Sequence, residues 1–286
     1  MLRKTMGRHL GVLLLLLACV CASSNEKGQK PKAEDSSMKK ITDFASATPA
    51  PLPKRESVDG KEVVAEAIGV MMLVGMGCGG AISITKEPGS AWVLQVALTF
   101  GLAMAALSFA IDFFCHGHMN PAVTLAMLLI GQVSPQQCVA NIIGQMGGSF
   151  MGAALLHGVY PPEKDKTGCL ASNKIEQGFS VQNVIIGEVA MSFMYVFLFI
   201  QQGAHPNSDS SSASLSLALG MASFLAHSVL IPLDGCSINP ARSFGPAYIA
   251  SRLREKEEVM KDIWLFMLAP CGGAVLAAAS YLALGP

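Results

Sequence analysis

From Val63 onward the chain alternates long apolar stretches with short polar breaks. Stretches of helical length fall near 62–84, 91–113, 135–158, 180–201, 213–233 and 262–284. A helix needs about 20 mostly apolar residues to cross ~30 Å of hydrocarbon, and each stretch supplies them. Two further apolar segments, near 121–130 and 240–250, are about half that length and cannot cross. Backbone that stops at membrane depth must be buried in protein or line a watery cavity. The pattern predicts an all-α membrane protein with six transmembrane helices plus two re-entrant half-helices.

Both half-length segments begin on the same tripeptide. Asn120-Pro121-Ala122 and Asn239-Pro240-Ala241 lie 119 positions apart. Glu66 in the first span and Glu188 in the fourth precede their tripeptides by 54 and 51 residues. The sequence thus divides into two like halves, about 62–158 and about 180–284. Three spans per half is an odd number, so the second half enters from the opposite face. That is an inverted repeat, and interrupted segments at matching places mark its functional site. Gly144, Gly148 and Gly152 in the third span repeat every four residues, a spacing that lets backbones approach closely. Gly75 and Gly79 in the first span are assigned the same role.

The tripeptide has a local meaning. Asn favours the N-cap, and Pro favours the first helical position, where its missing N–H costs nothing. Two such starts facing each other would bring two positive helix ends to one point. With the helix ends capped by other groups, each Asn amide would donate into a polar path. A water held there accepts twice through its oxygen, and its own hydrogens point outward both ways. That orientation breaks proton hopping along a file of waters, and the helix ends repel cations. The repeat is broken at one informative place: Val123 follows the first tripeptide, Arg242 the second. A charge at membrane depth is a functional candidate by default.

Composition agrees with a bilayer as the main solvent. The chain is 51% hydrophobic and only 14% charged, where soluble chains carry about 25%. Net charge is zero, so no basic field points to nucleic acid. The eight cysteines (Cys19, Cys21, Cys78, Cys115, Cys138, Cys169, Cys236, Cys271) are scattered through apolar sequence. They form no CxxC or Cys/His cluster, which speaks against zinc and a disulfide framework, and no cofactor is expected.

The N-terminus has a different character. Arg3, Lys4 and Arg8 precede an apolar run from Leu10 to Cys21, too short to span, and Ala22 offers a small residue for cleavage. Residues 1–22 read as a secretory signal or targeting segment, with an uncleaved anchor as the alternative. Residues 23–61, rich in Lys, Ser and Pro, read as a disordered tail. The segment suggests a secretory-pathway or organelle membrane. An organelle transit peptide fits less well, because Glu26, Glu34, Asp35 and Asp43 are out of place in an acid-poor signal. Loops on one side carry eight Lys/Arg and the tail on the other side carries eight, so charge bias gives no orientation.

Gly117-His118-Met119-Asn120-Pro121-Ala122-Val123-Thr124 and Gly235-Cys236-Ser237-Ile238-Asn239-Pro240-Ala241-Arg242-Ser243-Phe244-Gly245 resemble the two signatures of the aquaporins, the major intrinsic protein family. The resemblance covers roughly residues 62–286, and Glu66, Glu188 and Gln145 match it too. It implies a passive channel for water, with loop anchors at Glu66, Glu188 and Gln145. It further implies a selectivity constriction of Phe100, His227, Cys236 and Arg242, of the water-selective type. A homotetramer with one pore per subunit is also implied. His118 is a pore-lining or loop-fixing group, with a pH gate as the other reading. The glycerol-conducting branch usually has Asp where Ser243 stands and a small residue where His227 stands. Glycerol transport is therefore the alternative. An enzyme using Cys236 and His227 as nucleophile and base lacks an orienting third residue. A coupled transporter would need a further carboxylate in the spans, and none is expected there.

Overall fold

The computed structural model describes residues 57–204, apart from 85 and 88, and residues 211–285. The targeting segment and the tail up to residue 56 lie outside the described residues. Among the described residues the regular structure is helical throughout. Eight α-helices follow in order: α1 Gly60–Ser83, α2 Trp92–Ile111, α3 Pro121–Leu129, α4 Pro135–Val159, α5 Val181–Gly203, α6 Ser212–Asp234, α7 Pro240–Leu253 and α8 Ile263–Leu284. Short 3-10 turns at Pro162–Lys164 and Glu257–Met260 sit in the loops. Six of the helices (α1, α2, α4, α5, α6 and α8) are long and apolar enough to cross a membrane.

Local chemistry sets the helix ends. Asp59 caps α1 by accepting from Lys61 N at 3.0 Å. Ser134 caps α4, where Pro135 occupies the first helical position. Ser180 and Asn183 form a reciprocal capping box at the start of α5. Gly235, at φ 83°, ends α6 in the left-handed region that glycine enters without penalty. The half-helix α3 has 9 residues, about 14 Å of rise, and stops well short of a crossing. Helix α7 runs three residues past its expected end at 250. Ser251, Arg252 and Leu253 leave the apolar stretch but continue the helix.

The two halves pack alike. Helix α1 lies along α4, α5 along α8, and α2 crosses α6 between them. At that crossing a Cβ on Gly101 would come within 2.8 Å of the Gly220 carbonyl, and one on Gly220 within 2.7 Å of the Gly101 carbonyl. These glycines are 119 positions apart, the same offset as the two tripeptides. Along α4, Cβ atoms on Gly144, Gly148 and Gly152 would strike the carbonyls of Val63, Ala67 and Met71 in α1. The α1 glycines behave differently from expectation. Gly79 faces the Leu156 side chain, and Gly75 is only in ordinary contact range of Leu155. The close approach is thus made by small residues on α4 alone, because α1 presents its backbone there and side chains elsewhere.

Candidate functional site

Each tripeptide builds its own helix start. A residue before Pro is pushed out of the helical region, and Asn120 (φ −159°) and Asn239 (φ −151°) are both extended. In that conformation each side-chain oxygen folds over its own helix. Asn120 Oδ1 accepts from Ala122 N at 2.9 Å, and Asn239 Oδ1 accepts from Ala241 N at 3.0 Å and Arg242 N at 3.3 Å. The residues just before them, Met119 and Ile238, both sit at φ 46°. This left-handed turn is costly for side-chain-bearing residues. It presents their carbonyls to the other half: Asn120 Nδ2 donates to Ile238 O and Asn239 Nδ2 donates to Met119 O, both at 2.8 Å.

The two half-helices therefore meet head to head, cross-linked by their first residues. This corrects one expectation. The caps come from the Asn oxygens themselves, and one hydrogen of each amide is committed to the opposite carbonyl. The extended pre-proline backbone lets each side chain make both contacts at once.

Buried carboxylates hold the two loops. Glu66 accepts from His118 N at 2.8 Å, Met119 N at 2.6 Å and Gln145 Nε2 at 2.7 Å. Glu188 accepts from Ser237 N at 2.6 Å and Ile238 N at 2.7 Å. His118 Nδ1 lies 3.1 Å from Thr124 Oγ1, which also receives Gln145 Nε2 at 2.9 Å. His118 Nε2 is buried without a protein partner among the described residues. Sequence reasoning missed Asp234. It is fully buried, accepts from Cys236 N at 2.8 Å through one oxygen, and has its carboxyl against that of Glu188. The spans were expected to hold no further carboxylate. Asp234 lies one residue past the apolar stretch expected to end at 233, so it fell outside the spans.

Three of the four proposed constriction residues meet. Phe100 stacks on His227 with ring centres 4.1 Å apart at 19°. The Arg242 guanidinium carbon lies 5.0 Å from the Phe100 ring centre. His227 Nδ1 lies 2.8 Å from Ser223 O. Since a carbonyl only accepts, Nδ1 carries the proton and Nε2 is an acceptor. Arg242 Nη1 donates to Ala171 O at 2.8 Å, and Nη2 to Gly235 O at 3.4 Å. Arg242 Nε and His227 Nε2 have no protein partner among the described residues. Cys236 lies in the same loop at φ 58°, with its N–H on Asp234 and its side chain fully buried. Ser243 Oγ binds Asn173 Oδ1 at 2.8 Å and Ser237 Oγ at 2.6 Å. The carbonyl of Ala171 was beyond a reading based on side chains.

Six spanning helices around two opposed half-helices, with capped starts meeting inside the protein, define a multi-pass membrane channel. The chain belongs to the major intrinsic protein family: the profile described as Major intrinsic protein matches residues 54–281. Among its relatives, Aquaporin-5 of Homo sapiens is 35% identical over 225 residues, covering 78% of this chain and 80% of that one. Aquaporin Z of Bradyrhizobium diazoefficiens is 34% identical over 232 residues, covering 78% and 93%. The fold is similar to that of the aquaglyceroporin from Plasmodium falciparum, with a TM-score of 0.71 at 20% identity, covering 78% of this chain and 95% of that one. The permeant of an aquaporin-family channel is water or a small solute.

Proposed function

We propose that this protein is a passive water-selective channel that conducts water in single file down osmotic gradients and excludes protons and ions. The observation that carries this reading is the cluster of Phe100, His227 and Arg242, with two nitrogens left unspent. A water between them donates to His227 Nε2 and accepts from Arg242 Nε. It thus replaces bonds lost on leaving bulk water, and the Phe100 ring closes the third side. Glycerol is wider and has a carbon edge that needs an apolar wall, and at this point imidazole and guanidinium occupy two of the three sides. Deeper in, the second hydrogen of each tripeptide amide is the donor offered to passing water. Two donors on one oxygen, at two helix N-termini, orient that water against proton relay and oppose cations.

In this reading Glu66, Glu188 and Gln145 are loop anchors, and His118 lines the path beyond the first tripeptide. Cys236 contributes to the constriction, and four copies assemble with one pore each. Glycerol conduction is the competing function. The imidazole of His227 is what speaks against it.

The test is stopped-flow light scattering on proteoliposomes. Water efflux should be much faster than from bare lipid, with a low activation energy and no ion current, while glycerol uptake stays near the lipid rate. Glycerol flux comparable to water flux would replace this proposal with the competing one.

A further inference from the structure

Helix α7 carries Arg242 in its first turn and Arg254 at its C-terminal cap. The guanidinium of Arg254 donates to Asp165 Oδ2 at 2.7 Å, and the two side chains are 2% and 0% exposed. Arg254 also binds His157 Nδ1 at 3.3 Å and the Tyr160 carbonyl. Asp165 is the hub of the loop that follows α4. Its Oδ1 accepts from Thr167 N at 2.9 Å, Thr167 Oγ1 at 2.6 Å and Gly168 N at 3.0 Å, and its Oδ2 from Leu170 N at 2.8 Å. Thr167 Oγ1 in turn accepts from Ala171 N at 2.8 Å.

Leu170 and Ala171 are consecutive left-handed residues, at φ 55° and 54°. Neither is glycine, so both conformations are strained and persist only where the surroundings over-determine them. Asp165 fixes the N–H of the first directly and that of the second through Thr167. The outcome of the double turn is the Ala171 carbonyl aimed at Arg242 Nη1, 2.8 Å away. A buried ion pair is rarely a net stabiliser. What Arg254 adds here is a tie between the loop and the helix that bears Arg242.

We infer that Asp165 and Arg254 are positioning residues for the selectivity constriction, holding the Ala171 carbonyl that fixes the Arg242 guanidinium. This rests on the proposed role of Arg242 in selecting water over glycerol.

The experiment measures the glycerol-to-water permeability ratio in proteoliposomes for the parent, Arg242→Val, Asp165→Asn, Arg254→Gln, Arg254→Lys and Thr167→Val. Loosening one charge-assisted bond to Arg242 should raise the ratio about fivefold in Asp165→Asn and Arg254→Gln, and about twofold in Thr167→Val. Arg254→Lys, which keeps the charge, should stay closer to the parent. Ion-pair variants that insert and conduct water at the parent ratio overturn the inference. If neither inserts, Thr167→Val decides, and an unchanged ratio overturns it equally. A raised ratio in Arg242→Val alone leaves the water-channel reading standing and removes only this inference. A parent that conducts no water removes both.

Discussion

Replacing each loop-anchoring glutamate by glutamine should give unequal costs, because the two anchors have different neighbours. In Glu66→Gln one carboxylate oxygen becomes an NH2 group. Four donors (His118 N, Met119 N, Gln145 Nε2 and the weak Cys115 Sγ) now compete for one oxygen. At least one buried N–H loses its acceptor, at about 1–3 kcal/mol, and the others weaken from charge-assisted to neutral bonds at about 1 kcal/mol each. Removing a buried charge offsets part of this, leaving a net loss of roughly 2–4 kcal/mol.

Glu188→Gln also orphans one N–H, of Ser237 or Ile238. Its new NH2, however, faces the Asp234 carboxyl, whose Oδ2 has no donor among the described residues. One new bond to a carboxylate should return about 1–2 kcal/mol, making this variant the milder of the two. Reversible unfolding in mixed micelles, followed by circular dichroism, measures both. Equal losses, or a larger loss in Glu188→Gln, would refute the pairing of Glu188 with Asp234. A Glu66→Gln protein as stable as the parent would refute the anchoring role itself.

His227→Gly should remove the ring stacked on Phe100 and admit glycerol, raising its uptake by about tenfold or more in liposomes while water flow persists; unchanged glycerol exclusion would count against His227 as a constriction residue. The Cys236 thiol is fully buried, so mercurials should block water flow only slowly, and Cys236→Ser should abolish the block; block that survives would assign it to another cysteine. Gly148→Val should force α1 and α4 apart, since even its Cβ collides with the Ala67 carbonyl, at a cost on the order of 3 kcal/mol; unfolding midpoints matching the parent would refute the close contact.

The architecture was readable because membrane solvation writes it into local composition. Apolar runs of spanning length mark α1, α2, α4, α5, α6 and α8 to within a few residues, and the prolines mark where α3 and α7 begin. Glu66 and Glu188 stood out by their matching places in the two halves, and Gln145 through the family resemblance alone. Asp165 and Arg254 stood out less. They lie in loops where charge is ordinary, and 89 residues separate them. Nothing in either local sequence says that the pair is buried. The carbonyls of Met119, Ala171, Gly235 and Ile238 are a different kind of omission. Every residue has one, so only backbone conformation reveals which are aimed at Asn120, Asn239 and Arg242. Among the described residues, four of the six non-glycine residues with left-handed φ (Met119, Ala171, Cys236 and Ile238) contribute to or flank that arrangement.

The inverted repeat also explains why selectivity would sit on one side of the membrane midplane. At the shared offset of 119 positions, Asn120 pairs with Asn239, Met119 with Ile238 and Gly101 with Gly220, and these pairs make equivalent contacts. The symmetric residues form the frame: each Asn oxygen caps its own helix, but neither Asn amide finds its carbonyl within its own half, so each half satisfies the other's donor. The proposed constriction residues lie where symmetry fails. By the same offset Phe100 faces Leu219, His227 faces Ser108, Arg242 faces Val123 and Cys236 faces Gly117 in the correspondence. The departures bring a buried cation into the second half. The same half also carries Asp234, at the place of Cys115, beside the second anchoring glutamate. A guanidinium at membrane depth needs compensating acceptors. It finds them in the carbonyls of Ala171 and Gly235, with the carboxylates close enough to act on it through space. The added acid and the added base thus belong to one change, and substituting either alone should disturb the half that contains both.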